Sequence, residues 1–168
     1  MPTGHLDART TTNVGHMGAE QEAPRVTVEQ DGHVLLMGIN RPDVYNAFDL
    51  DTIKQLGEAY ARLGRDPDLW VGVLFHHGRH FSAGLALDEV GPAVAQRGPA
   101  ALAGAGPYDP FGVWRDPVPK PVVMAVGGVA FTLSIELALA CDVVVCGDEW
   151  DALAASEEYA TFLESPVV

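Results

Sequence analysis

The chain has 168 residues, with 10 Lys+Arg against 23 Asp+Glu and a formal charge of −13, so capture of nucleic acid or another polyanion is disfavoured. Its length suggests one domain, and 48% apolar with 20% charged residues is a balance able to bury a core, which excludes global disorder. The 18 Gly and 12 Pro fall short of the low-complexity range and show no three-residue period, so fibrous repeats drop out as well.

Residues 1–24 (MPTGHLDARTTTNVGHMGAEQEAP) have neither an apolar signal core nor an acid-free amphipathic pattern, and are expected to form a flexible leader. Next, residues 25–30 (RVTVEQ) alternate, Asp31-Gly32 is a hairpin turn signal, and residues 33–39 (HVLLMGI) read as a strand. A loop (NRPDVYNAF) precedes Asp49, which can cap a helix whose Leu50, Ile53, Leu56, Tyr60 and Leu63 share a face and which ends near Gly64. Residues 70–76 (WVGVLFH) give another strand, so a crossover to a parallel neighbour is expected.

Residues 91–114 are rich in Ala, Gly and Pro without a clear period, and predict a mobile loop or lid. Tyr108, Phe111 and Trp114 stand at its far end as candidates to line a ligand site, with ordinary core packing as the alternative for each. Residues 122–141 (VVMAVGGVAFTLSIELALAC) approach the length of a membrane span. Gly127-Gly128 interrupts the run and Glu136 would be costly in lipid, so a buried strand, a tight turn and a buried helix are expected, with no membrane association. Residues 142–146 (DVVVC) close the pattern with a strand. Cys141 and Cys146 read as small buried hydrophobes in a reducing, cytoplasmic compartment.

Two strand-to-helix turns carry the chemistry. Phe81-Ser82-Ala83-Gly84 follows a strand, where small residues let backbone N–H groups approach a ligand. Around Thr132 a helix begins, and its first N–H groups lack intrahelical partners. Facing each other, such turns would present converging donors to one oxygen, an oxyanion hole worth about 3–4 kcal/mol per donor. The first of them, taken alone, reads as merely a turn. Glu136, the single carboxylate of an apolar helix, is expected to be buried and so suited to proton transfer, or else to be a satisfied structural Glu. His76, His77 and His80 cluster without an acidic or thiolate partner at ligand spacing, so solvent-facing histidines are expected and no metal. No Walker-type or GxGxxG sequence occurs.

INRPDVYNAFDLDTI, HGRHFSAGLALDEV and KPVVMAVGGVAFTLSIELALACDVVV together resemble the crotonase family, the enoyl-CoA hydratases and isomerases. The resemblance implies an α/β fold, a ββα spiral core over residues 25–146, assembly as a trimer or hexamer, and an acyl-CoA or enoyl-CoA thioester as substrate with no separate cofactor. It assigns the oxyanion donors to Ala83 and Leu133, the role of base or water holder to Glu136, and substrate contacts to Ala47, Gly84, Leu85, Ala86, Leu87 and Gly128. Arg41 and Lys120 are candidates to meet CoA phosphates, with surface solvation as the alternative.

The chain also departs from the family. Thr132-Leu133-Ser134 stands where glycines are usual, and Ala86 where Asp is frequent. After Cys146 the segment that supplies a second glutamate does not follow; GDEWDA and SEEYATFLE resemble later family sequence instead. Residues 147–168 are therefore expected to be a shortened helical remnant, with the C-terminal helical part largely absent. The expected activity is water addition to a 2-enoyl-CoA thioester by a hydro-lyase. The alternatives are a catalytically weak acyl-CoA-binding or trimer-partner protein, and an incomplete fold with an exposed apolar face.

Overall fold

The computed structural model describes residues 23–147. All but the last two residues of the expected leader, and all of the expected remnant beyond Gly147, lie outside the described residues. Five strands, Val26–Asp31 (β1), Val34–Ile39 (β2), Val71–His76 (β3), Val122–Val126 (β4) and Val143–Cys146 (β5), form one sheet in chain order. β1 and β2 are the expected hairpin, antiparallel with Val26 opposite Ile39 and Asp31 opposite Val34. All later pairs are parallel, because each connection carries the chain back across the sheet through a helix.

The first of these helices, Leu50–Arg65 (α1), begins where the sequence places it: Asp49 accepts from the Thr52 N–H and hydroxyl, both at 2.6 Å. Ile53, Leu56, Tyr60 and Leu63 are buried and meet Leu35, Met37, Ile39, Leu74 and Met124 in a continuous core. Burial would raise the Asp49 carboxyl, but the Thr52 hydrogen bonds and the Arg41 and Arg25 guanidiniums hold it below its ordinary value.

The expected loop over residues 91–114 is corrected by a helix, Leu87–Arg97 (α2), followed by a 3-10 turn at Pro99–Leu102. Pro92 sits inside α2 and only Val90 is buried, so neither propensity nor an apolar period announces it. Asp88 and Glu89 in its first turn suit the positive end of the helix. The remainder is tied down rather than loose: buried Asp109 accepts from the N–H groups of Phe111, Val113 and Trp114 at 2.6–3.0 Å. Phe111 packs edge-on against Phe48 and Trp114, and Tyr108 and Trp114 lean on the same core, so core packing describes all three aromatics.

Residues 122–141 divide as expected into β4, a Gly127-Gly128 turn and a helix, Leu133–Ala140 (α3). No helix among the described residues is long and apolar enough to cross a membrane. The expected burial of both cysteines is corrected for Cys146, which is exposed with the rest of β5, the last strand of the sheet. Cys141 is half-buried, and that burial pushes its thiol up to about 11.

Candidate functional site

β3 and β4 are parallel neighbours, so the chain leaves both at one end of the sheet, and the two segments that follow continue to pair. Phe81 N–H donates to Gly127 O at 2.9 Å, Ser82 N–H to Val129 O at 3.1 Å, and Phe131 N–H to Ser82 O at 3.1 Å. This short parallel ladder brings together the two bends singled out in the sequence. Gly84 lies against Thr132 with φ +95°, and a methyl group there would collide with Thr132 Oγ1. Gly128, φ +59°, lies against Arg79 O and the His80 ring, where a side chain has no room.

The N–H inventory of the first bend departs from the expected one. Ala83 N–H donates to Tyr45 O at 2.8 Å, Gly84 N–H to Ser82 Oγ at 3.0 Å and Ala86 N–H to Phe48 O at 3.0 Å. The Leu85 N–H has no partner among the described residues. The available donor of this bend is therefore that of Leu85, two residues beyond the expected Ala83. A parallel bridge between Phe48 and Leu85 holds this backbone in place. At the second bend the Leu133 N–H, at the start of α3, likewise has no partner among the described residues, and neither does that of Thr132. Leu85 and Leu133 each follow directly on a residue of the Gly84–Thr132 contact. Thr132 adopts φ +45° and ψ −112°, a conformation costly for a β-branched residue and open to glycine.

The other expected contact residues divide. Ala47 is half-buried and its carbonyl accepts from Arg41 Nη1 at 2.6 Å; Ala86 precedes α2; Leu87 begins that helix with its side chain exposed. The expected burial of Glu136 is corrected, since the residue is exposed on α3. The helix turns Leu133, Ser134 and Leu137 inward, and Glu136 falls on the opposite side, which no described element covers. Arg41 is engaged by Asp49 at 3.2 Å and Glu89 at 3.3 Å, and Lys120 donates to Asp66 O, so both basic residues have structural partners. An open groove between β1 and α1, lined by Val26, Val28, Lys54, Gln55 and Arg62, includes none of the bend residues.

The histidines, expected to face solvent, are half-buried instead, and the rings of His76 and His80 accept hydrogen bonds. Gly127 N–H donates to His76 Nε2 and Val129 N–H to His80 Nδ1, each at 3.1 Å, and His77 Nε2 meets Thr27 Oγ1 at 2.8 Å. Asn46 is a hub that sequence reading overlooked. It is buried at φ +54°, accepts from Arg41 N–H at 2.7 Å, and donates to His77 O and His80 O at 2.8 Å. The only signal for it was an Asn in a turn-rich loop, where left-handed backbone suits that residue.

The described residues thus form an α/β sheet with two paired strand-to-bend exits at one end. The chain belongs to the enoyl-CoA hydratase/isomerase family, whose sequence pattern matches residues 29–159. It is 33% identical over 119 residues to an (E)-benzylidenesuccinyl-CoA hydratase of Thauera aromatica, covering 70% of this chain and 44% of that relative. It is 37% identical over 118 residues to a carnitinyl-CoA dehydratase of Proteus mirabilis, covering 70% and 43%. The crystal structure of a probable enoyl-CoA hydratase/isomerase from Mycobacterium abscessus superposes with a TM-score of 0.66 at 39% identity, over 73% of this chain and 46% of that one. The fold is thus crotonase-like, and the chain spans a little under half the length of these relatives.

Proposed function

We propose that this chain binds a 2-enoyl-CoA thioester and holds its carbonyl oxygen between the N–H groups of Leu85 and Leu133. The observation that carries this is the shared ladder of the two bends, each of which has a backbone donor with no partner among the described residues beside the Gly84–Thr132 contact. As negative charge moves onto the thioester oxygen, such donors strengthen, and each contributes about 3–4 kcal/mol to the enolate-like transition state. Glu136, in the first turn of α3, is the group assigned to hold or deprotonate the water that adds across the double bond. Coenzyme A enters as part of the substrate, and no further cofactor is needed for proton transfer. Gly84 and Gly128 keep side chains out of the bends, Ala47, Leu85 and Ala86 contact the acyl group, and assembly is as a trimer or hexamer.

The test is hydration of but-2-enoyl-CoA followed by loss of its ultraviolet absorbance, with calorimetric binding measured alongside. Glu136→Gln is expected to lower kcat by about 10²–10⁴-fold with a KM change of about twofold or less, because a general acid–base group acts mainly in the transition state. Binding that is absent at all thioester chain lengths, in folded protein, overturns the proposal.

A second reading is favoured by one observation, the exposure of Glu136. No described element covers this carboxylate or fixes it beside a substrate, so the chain would bind acyl-CoA and turn it over weakly. Micromolar thioester binding without measurable hydration distinguishes it.

A further inference from the structure

The ladder that joins the bends uses more than backbone partners. Going along its second strand, Gly127 and Val129 offer both carbonyls to the first segment, accepting from Phe81 and Ser82. Their N–H groups point to imidazoles: Gly127 to His76 Nε2 and Val129 to His80 Nδ1. A neutral imidazole nitrogen accepts such a bond, whereas an imidazolium presents only donors. His76 closes β3 and packs edge-on against Phe81, so its ring is held by the first segment while it grips the second. His80 is braced in turn, its carbonyl held by Asn46 Nδ2 and its ring near that of Tyr45 at 5.6 Å.

We infer that His76 and His80 are positioning residues whose neutral rings fix the second bend against the first, so that protonating them separates the amides of Leu85 and Leu133. The inference rests on the two-amide reading above, and deepens it by naming what regulates that site. Each protonated ring would turn an N–H toward the Gly127 or Val129 N–H, replacing an attraction with a repulsion inside a half-buried contact. Among the described residues His77 and His80 face His76, and the groups near His80 include His76, Tyr45 and, next in the chain, Arg79. Burial, and then the charges of His80 and His77, lower the His76 pKa from 6.5, so its acceptor form prevails at neutral pH and the switch lies on the acid side. His77 does not share the role, since its Nε2 meets Thr27 at the far side of the sheet edge.

The test uses the full chain, isotopically labelled, with amide resonances followed from about pH 7.5 to about pH 5. In the ligand-free protein the Gly127 and Val129 amide signals are expected to move together with the titration of the His76 and His80 rings. His76→Gln and His80→Asn place an amide oxygen at the Nε2 and Nδ1 positions and cannot titrate, so in the double variant both signals should stay flat. His76→Leu and His80→Leu remove the acceptors and should show the displaced signals at every pH. Binding of but-2-enoyl-CoA should weaken about tenfold over this range in the natural chain, and about twofold or less in the Gln/Asn variant, as expected for loss of one or two hydrogen bonds. Amides that do not move in the natural chain, or that move equally in the Gln/Asn variant, overturn the inference. A chain that binds no thioester while its amides titrate as expected overturns the functional reading and leaves the positioning role established.

Discussion

Asp49 shows how much one side chain can hold. Its carboxylate caps α1 through Thr52 and meets Arg25 at 3.1 Å and Arg41 at 3.2 Å while itself only 2% exposed. Asp49→Asn should cost about 2 kcal/mol, from a weakened cap and two arginines left without their carboxylate, as measured by urea unfolding at neutral pH. Because its pKa is lowered in the folded chain, this stabilisation is present above the ordinary 3.8 and is lost as pH falls through the folded value. The gap between variant and natural chain should therefore close in strongly acid solution. Thr132 gives the opposite case. Its positive φ is strained, and Thr132→Gly should stabilise the chain by about 1 kcal/mol, the relief exceeding the added freedom of the unfolded glycine. An unfolding midpoint that falls in this variant counts against strain at the bend.

Among the elements, the two bends behave as one unit because neither has room for change. Gly84 combines φ +95° with a contact to Thr132 and lies 3.4 Å, at its missing Cβ, from Phe131 O. Gly84→Ala should cost about 2 kcal/mol for the left-handed backbone and push the bends apart. Thioester binding should then fall well beyond what the stability loss explains, seen by calorimetry at a temperature where the variant remains folded. Equal binding in this variant would mean that the spacing of the bends does not matter to the ligand. α2 teaches a different lesson. With Pro92 in its interior and one buried residue, it is a weak helix in isolation, and it is placed by what surrounds it, including the Arg41–Glu89 ion pair and the Phe48–Leu85 bridge at its entrance.

At the scale of the molecule, the sheet formed by the described residues has two unlike edges. β1 exposes mostly polar residues, with Val28 the apolar one, while β5 exposes Val143, Val144 and Val145 by 40–56%. An apolar strand whose outer side pairs with no described residue favours association, and the charge of −13 opposes it by repulsion between copies. Light scattering of the chain should therefore increase with salt, as screening removes the repulsion. Val144→Lys should reduce that increase with little change in unfolding midpoint, since Val144 is already 40% exposed.

The residues alone determined what is local. Asp31-Gly32 makes the hairpin, Asp49 caps α1, Gly127-Gly128 divides an apolar run into strand and helix, and three motifs in fixed order identify the family. These depend on neighbours in the chain, and short-range chemistry is written in the sequence directly. The tertiary structure decided the rest. Ala83 is silenced as a donor by Tyr45, three histidines become acceptors or bonded partners of distant backbone and side chains, and Glu136 lies on a side of its helix that no described element covers. Whether an N–H is free or a carboxylate is wet depends on groups brought close only by folding, and no spacing along the chain encodes that proximity.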